Sequence, residues 1–223
     1  MLKLQAMLSY GFLENTMTNI LLVTSSPRGE DSLSTQTARV FADKLQAAHT
    51  GATLTKRDVN ADPSPHLAES LVHAIRRPAA DRTPEDIAAL AHSDSLVGEL
   101  QAADIIVLAS GMINFGVPSA LKSWIDHIAR SGVTFRYGPD GAEGLLKGKK
   151  LYLVLAYGGV YAEGPAQAMN FQEPYLKTLL GFLGLTDVEV VTIEGVAYGP
   201  EMAQKAVAAA NERVDALVAA SAR

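Results

Sequence analysis

The chain has 223 residues, of which 48% are hydrophobic and 19% are charged, and these values suit one globular domain. Its formal net charge of -5 argues against nucleic acid or an anionic membrane as the main partner, because both favour basic surfaces. Cysteine is missing, which excludes disulfides and cysteine-based catalysis or metal binding, and no apolar run approaches the roughly 18–20 residues of a membrane span.

The first segment, residues 1–16, is expected to contribute nothing to the fold. Lys3 is followed by scattered apolar residues, but polar residues interrupt the apolar stretch and no A-x-A cleavage site of a signal peptide follows. Met17 then leads directly into the first predicted strand. We therefore expect residues 1–16 to be an upstream start or a disordered tail, residues 17–223 to form a single domain, and the protein to be cytoplasmic.

Five segments of the sequence predict strands. Ile20–Val23 and Ile105–Ala109 are continuous apolar runs, the pattern of strands buried on both faces, and Thr53–Asp58 alternates. The predicted strands are Ile20–Val23, Thr53–Asp58, Ile105–Ala109, Lys149–Ala156 and Val188–Ile193. A further β-rich stretch, Val133–Tyr137, runs into the turn Gly138–Gly141, where proline and glycine provide the backbone conformations that a turn needs.

Segments with helical spacing separate these strands. The predicted helices are Thr35–Ala47, two stretches within Leu67–Leu100, Ser119–Arg130, Gln172–Leu183 and Glu201–Ala220. The second stretch within Leu67–Leu100 opens on an N-cap threonine, Thr83, followed by a proline and two acidic residues. Strands that alternate with helices predict a doubly wound parallel sheet with helices on both faces. In the strand order 2-1-3-4-5, the loops after the first and third strands face one crevice, where such sheets bind ligands.

The first of these loops is rich in hydroxyl groups. Leu21–Ser34, LLVTSSPRGEDSLS, runs from a strand through this loop into a helix start, and it has neither a Walker lysine nor a GxGxxG pattern. The N–H groups of a helix N-terminus favour phosphate. We interpret the loop as a phosphate cradle that uses hydroxyls and amides in place of charge, with Arg28 either touching the phosphate or exposed. The hydroxyl residues are Ser25, Ser26, Ser32, Ser34 and Thr35.

Two further loops follow strand ends and suit a flat ring. In the second loop, Gly111–Pro118, three apolar side chains and the amide of Asn114 match an apolar ring with a polar edge, although ordinary packing beneath a helix is an alternative. In the third, Ala156–Tyr161, paired glycines permit close approach and Tyr157 or Tyr161 would cover the ring, although a simple turn is an alternative. One phosphate loop and two ring loops together favour FMN.

Four motifs carry a specific resemblance. They are SSPRGEDSLS, MINFGVPSALKSWIDHIARSGVTFRYGPDGAEGLLKGKK, YGGVYAEGP and YLKTLLGFLGLTDVEVVTIEGVAYGPEMA. Together they resemble the FMN-dependent NADH-azoreductase family, also described as NADH:quinone oxidoreductases, in register from about Met17 to the end of the chain. The run from Met112 to Lys150 carries the most specific part of the match.

The resemblance implies a flavodoxin-like homodimer that binds FMN and uses NADH, with NADPH as the alternative donor, to reduce quinones and azo compounds. The reaction implied is two-electron, ping-pong hydride transfer through N5 of the flavin, without a catalytic side chain. Active sites would lie at the dimer interface, where the partner subunit lines the substrate side. Implied cofactor-binding residues are Ser26, Ser32, Leu33, Ser34, Met112, Ile113, Asn114, Phe115, Ala156, Tyr157, Gly158 and Gly159, and implied substrate-side residues are Tyr161, Tyr137 and Phe182.

Two positions depart from the family pattern. Ala156-Tyr157 stands where some relatives have Ser-Arg, and Tyr161 stands where a histidine often follows the two glycines. Both positions lie near the expected nicotinamide and acceptor surface. The acceptor and the choice between NADH and NADPH therefore stay open, whereas FMN binding is less affected.

The sequence lacks the residues that two competing functions need, and it leaves a third function as an alternative. A response-regulator receiver needs acidic residues where Thr24-Ser25 and Ser110-Gly111 stand, and a serine hydrolase needs a G-x-S-x-G elbow. The histidines show neither HxH nor HExxH spacing, so no metal site is expected. A flavodoxin-type electron carrier without its own substrate remains the alternative. The long Leu67–Leu100 segment and the apolar Tyr175–Leu185 stretch argue against it, because they suggest a substrate pocket built by a dimer.

Overall fold

The structure is a computed structural model that describes residues 17–222. The expectation that residues 1–16 are a disordered tail or an upstream start falls outside the described residues. The strands are β1 (Asn19–Thr24), β2 (Thr53–Asp58), β3 (Ile105–Gly111), β4 (Phe135–Gly138), β5 (Gly141–Gly144), β6 (Lys150–Ala156) and β7 (Asp187–Ile193). The helices are α1 (Leu33–Ala48), α2 (Glu69–Arg76), α3 (Pro84–Ala102), α4 (Ser119–Ile128), α5 (Gln172–Phe182) and α6 (Pro200–Ser221).

Five of the strands form one parallel sheet in the order β2-β1-β3-β6-β7. The predicted doubly wound sheet is confirmed, since this order is 2-1-3-4-5 when only the strands of the main sheet are numbered. The numbering shifts because β4 and β5 form a separate antiparallel hairpin, which closes at the predicted Gly138–Gly141 turn.

The apolar run of β1 is explained by burial on both faces of the sheet. Ile20 and Leu22 lie in one core cluster with Phe41 of α1, and α6 covers the same face. Leu21 lies in a second cluster with Trp124 of α4, on the face that α3 and α5 also cover. A strand with both faces buried requires apolar residues in succession, which is the pattern from which this strand was predicted.

The predicted start of α3 is confirmed by its capping box. The Thr83 hydroxyl accepts the Asp86 N–H at 3.3 Å, and the Asp86 carboxylate accepts the Thr83 N–H at 2.8 Å. Pro84 occupies the first helical position, where its missing N–H would have had no intrahelical partner. None of the helices among residues 17–222 is long and apolar enough to cross a membrane.

The register of the sheet brings four loops to one edge. The last residue of β1, Thr24, pairs with Ala109 of β3, and the last residue of β6, Ala156, pairs with Gly111 and with Ile193 of β7. The chain therefore leaves β1, β3, β6 and β7 at the same carboxyl edge, which is where parallel sheets hold their ligands.

Candidate functional site

A cavity of about 280 Å³ lies at this carboxyl edge, near the lower limit for small-molecule sites, about 300–1,000 Å³. All four loops contribute to its walls, so the crevice expected between the first and third strands is present. Its lining residues are Ser26, Pro27, Arg28, Ser32, Leu33, Ser34, Gly111, Met112, Ile113, Ala156, Tyr157, Gly158, Val196 and Ala197.

One end of the cavity carries hydroxyl groups at the start of α1. Ser32 is the N-cap of this helix: its hydroxyl accepts the Thr35 N–H at 3.3 Å and lies 3.1 Å from the Ser34 hydroxyl. Within residues 17–222, the N–H groups of Leu33 and Ser34 have no hydrogen-bond acceptor, as is usual for the first turn of a helix. Free amides and the positive end of the helix dipole make this end suitable for an anion.

Arg28 is an exposed residue that also lines the cavity, which agrees with both alternatives given for it. The prediction for Ser25 needs a correction. Ser25 was expected among the cradle hydroxyls, but its hydroxyl donates to the Ala109 carbonyl at 2.9 Å and ties the end of β1 to β3. Ser26 lies as expected, with its hydroxyl accepting the Arg28 N–H at 3.2 Å.

The loop after β3 forms a tight two-residue turn at the mouth of the cavity. Ile113 and Gly116 exchange two main-chain hydrogen bonds of 3.0 Å, and the two residues between them are left-handed, with φ of 49° at Asn114 and 67° at Phe115. Asparagine tolerates this conformation, whereas a bulky residue pays roughly 1–2 kcal/mol for it. Such strain persists only where surrounding contacts enforce it, and it is concentrated at functional sites.

Two contacts enforce the left-handed conformation of Phe115. Its carbonyl accepts the Phe171 N–H at 3.1 Å, and its ring lies edge-on to Tyr161 with 6.4 Å between the ring centroids. The ring of Phe115 is 43% exposed and, like Asn114, lies outside the cavity wall that Met112 and Ile113 form. The structure therefore brings half of the expected ring-binding turn into the cavity and leaves the other half at its rim.

The loop after β6, residues 157–162, is called the glycine loop below. Ala156, Tyr157 and Gly158 line the cavity, whereas Gly159 does not. A Cβ on Gly159 would meet the Tyr161 ring at 3.2 Å, so glycine allows that ring to lie against the main chain. The two ring loops are also joined directly, because the Met112 N–H donates to the Ala156 carbonyl at 2.9 Å.

Tyr157 takes a different position from the one that covering a ring requires. Its side chain is 1% exposed and belongs to the core cluster beneath α5, so its main chain is what borders the cavity. Burial raises the pKa of its phenol well above the usual value, which keeps the hydroxyl neutral. Tyr161 is half-buried and packs 5.7 Å from Tyr157, between that ring and Phe115.

The two remaining predicted aromatic residues lie away from the cavity. Tyr137 on β4 is 72% exposed, and its ring lies edge-on to Phe135 at 5.7 Å. Phe182 at the end of α5 packs on the other side, 4.6 Å from the same Phe135 ring. Within one protomer these aromatics form a separate group, so their expected place on the substrate side of a partner's site stays a prediction.

Five lining residues were not among the predicted site residues. They are Pro27, Arg28, Gly111, Val196 and Ala197. Val196 and Ala197 follow β7, and parallel pairing with β6 brings the end of that strand to the same edge. The fifth predicted strand is the signal in the sequence for Val196 and Ala197, because the end of that strand has to lie beside the glycine loop.

Comparison with known proteins identifies the family. The model of a family described as having a flavodoxin-like fold matches residues 18–218. An FMN-dependent NADH:quinone oxidoreductase of Agrobacterium fabrum is 55% identical over 205 residues, which are 92% of this chain and 100% of the relative. The chain belongs to this flavodoxin-like oxidoreductase family. The resemblance that the sequence motifs carry is thereby confirmed.

A second relative and a solved structure are also similar to this chain. FMN-dependent NADH:quinone oxidoreductase 1 of Rhizobium etli is 53% identical over 205 residues, 92% of this chain and 100% of that protein. The crystal structure of an azoreductase from Bacillus anthracis superposes with a TM-score of 0.83 at 30% identity, covering 91% of this chain and 99% of that one. The oxidoreductase family and its fold therefore extend over nearly all of the described chain.

The residues of this cavity fit FMN, the group that the family name implies. An anionic phosphate would lie against the hydroxyls and free N–H groups at the start of α1. A flat apolar ring would lie against Met112, Ile113 and Ala156 at the other end of the cavity. The cavity thus has the two chemically different ends that this group needs.

Proposed function

We propose that this protein binds FMN in the cavity and reduces quinones and azo compounds with NADH in a ping-pong reaction. The observation that supports this most is the two-ended cavity at the carboxyl edge of the sheet, with a hydroxyl-rich helix start at one end and apolar loops at the other. The membership of the oxidoreductase family supports the reaction class.

The phosphate end would be held by Ser26, Ser32 and Ser34, by the N–H groups of Leu33 and Ser34, and by the Arg28 guanidinium. These groups combine neutral donors with one cation, and hydrogen bonds to an ionised phosphate are stronger than those between neutral groups. The apolar end would hold the ring through Met112, Ile113 and the main chain of Ala156–Gly159, whose glycines permit close approach.

When bound, FMN would supply the two-electron hydride chemistry. The protein's contribution is to orient the nicotinamide and the acceptor against the ring and to exclude water from it. Phe115 and Tyr161, packed edge-on at the mouth, are suited to contacting a flat acceptor. The Tyr157 side chain is 1% exposed and lies in the core, so we assign it no proton-transfer role, and no acid–base side chain is required for the hydride step.

We further propose that residues 17–223 act as one domain and assemble as a homodimer with active sites at its interface. Exposed apolar side chains near the mouth support this, because Phe171 is 63% exposed beside a groove of about 520 Å³ lined by Val117, Pro174 and Tyr175. A partner's Tyr137 and Phe182 would then complete the acceptor side. The use of NADH as the electron donor and a cytoplasmic location remain predictions.

Purification and rate measurements test the proposal. We expect a yellow dimer with a flavin absorption spectrum that oxidises NADH faster than NADPH in the presence of menadione and of an azo dye, with parallel double-reciprocal plots. The electron-carrier alternative predicts a yellow monomer that barely oxidises NADH with menadione. A colourless protein that does not bind added FMN would refute the proposed function altogether.

A further inference from the structure

The first part of the glycine loop is joined to the chain after β7 by main-chain hydrogen bonds. The Tyr157 N–H donates to the Ile193 carbonyl at 2.8 Å, and the Gly195 N–H donates to the Gly159 carbonyl at 2.8 Å. Within residues 17–222, main-chain bonds between these two segments end at Gly159. The remainder of the loop, which carries an aromatic ring at the mouth of the cavity, needs another means of support.

Glu194 supplies that support through one carboxylate oxygen. Its Oε1 accepts the Tyr161 N–H at 2.8 Å and the Ala162 N–H at 3.0 Å. Two consecutive peptide units are therefore held by one ionisable acceptor on a half-buried side chain at the end of β7. Because one oxygen accepts both N–H groups, this contact restrains the two peptide units together.

The restrained peptide unit determines where the Tyr161 ring lies. The ring lies against Gly159, where an added Cβ would come within 3.2 Å of it, and between the rings of Tyr157 and Phe115. A shift of the Tyr161 main chain would lift the ring off Gly159 and away from Phe115. Phe115 and Tyr161 belong to loops whose preceding residues line the cavity, so such a shift would change the spacing of this aromatic pair beside the cavity.

We infer that Glu194 is a positioning residue: by holding the N–H groups of Tyr161 and Ala162, it sets the Tyr161 ring at the mouth and so selects among acceptors of different width. The inference rests on the proposed function, in which Tyr161 lies on the acceptor side. Glutamine keeps a carbonyl oxygen in place of Oε1, whereas alanine removes the acceptor, and this separates the hydrogen bonds from the charge.

Hydrogen exchange tests the structural half of the inference and does not require a measurement of enzyme activity. In the protein as purified, Glu194→Ala is expected to speed exchange of the Tyr161 and Ala162 amides about tenfold or more, whereas Glu194→Gln keeps most of their protection. Glu201→Ala is the matched control, because this exposed glutamate lies seven positions further along and has no side-chain hydrogen bond among the described residues. Circular dichroism of each variant checks that it folds.

A double-mutant cycle with Tyr161 tests the functional half. We expect Glu194→Ala to change the ratio of kcat/KM for a narrow quinone to kcat/KM for a bulky azo dye by about fivefold or more, with the flavin spectrum unchanged. If Glu194 acts through the tyrosine ring, the double variant Glu194→Ala/Tyr161→Ala has the same kcat/KM ratio as Tyr161→Ala alone. Glu194→Gln is expected to retain the wild-type ratio.

Several results would overturn the inference. Unchanged exchange of the two amides in Glu194→Ala, or an equally large effect on the acceptor ratio with and without Tyr161, contradicts it. A Glu194→Gln variant as impaired as Glu194→Ala contradicts it also, because the charge and not the acceptor oxygen would then matter. A wild-type protein that does not bind FMN refutes the proposed function and acceptor selection together, whereas the exchange result separately decides whether Glu194 holds the loop.

Discussion

Ser32 has two separable roles in this structure, and three alanine substitutions distinguish them. As the N-cap of α1, its hydroxyl accepts the Thr35 N–H at 3.3 Å, and loss of such a cap costs about 1 kcal/mol of stability. As part of the proposed phosphate site, it would also donate to an anion, a hydrogen bond worth roughly 1.5–3 kcal/mol. Ser32→Ala is therefore expected to lower stability of the FMN-free protein and to weaken FMN binding roughly 10- to 150-fold.

The two matched variants each reproduce only one of the two effects expected of Ser32→Ala. Ser34→Ala takes a lining hydroxyl from the first turn of α1 without removing the cap, so it should weaken FMN binding and leave the stability of the FMN-free protein within about 0.5 kcal/mol. Thr83→Ala removes the cap of α3, which is not part of the cavity, so it should cost about 1 kcal/mol and leave FMN binding unchanged.

Urea unfolding of the FMN-free protein and titration of FMN fluorescence measure the two quantities. The reasoning about this end of the cavity is refuted if Ser34→Ala binds FMN as tightly as the wild type. It is refuted also if Thr83→Ala weakens FMN binding as much as Ser32→Ala does, because general destabilisation would then explain both.

Three further predictions follow from other parts of the structure. Tyr161→Phe should change turnover by less than about tenfold and keep FMN, and complete loss of activity with FMN retained would contradict a hydride step without an acid–base side chain. Gly144→Ala should destabilise the protein by about 3 kcal/mol or more in urea, because its Cβ would lie 2.2 Å from the main-chain nitrogen of Gly184; stability within error of the wild type would disprove this packing. The hydrogen bond from the Thr83 N–H holds the pKa of the Asp86 carboxyl below its usual value. The ionised carboxylate therefore stabilises the folded protein fully above about pH 5, and this stabilisation is lost as the pH falls from about 4 through the lower pKa of the folded state. Asp86→Asn should flatten that acid limb of a stability-against-pH curve, and an unaltered curve would count against it.

Much of the fold was predictable because its signals are local. A continuous apolar run such as Ile105–Ala109 has few alternatives to a doubly buried strand, and parallel strands of one sheet end at a common edge. A common edge predicts that Ser26, Ser34 and Met112 lie in one crevice, and all three line the cavity. The alternation of strands and helices predicts a doubly wound parallel sheet, whereas the order 2-1-3-4-5 is the one that belongs to a flavodoxin-like fold.

The misplaced residues depend on contacts that a single sequence does not display. Tyr157 lies next to paired glycines, but packing beneath α5 draws its ring into the core, where burial of an aromatic ring outweighs exposure at a ligand. Phe115 has a left-handed backbone conformation, which phenylalanine disfavours, and its contacts with Phe171 and Tyr161 account for this conformation. The Ser25 hydroxyl was available for a ligand in the sequence and is engaged by Ala109 in the structure.

The Ser25–Ala109 hydrogen bond has a consequence for synthesis of the protein. It joins residues 84 positions apart, and the walls of the cavity extend from Ser26 to Ala197, so no incomplete chain that ends before β7 contains the whole cavity. A ligand that binds there cannot act as a template for early folding on the ribosome. Its capture instead reports that synthesis has passed Ala197, and products that end before β7 should gain no protection from proteolysis when the ligand is abundant.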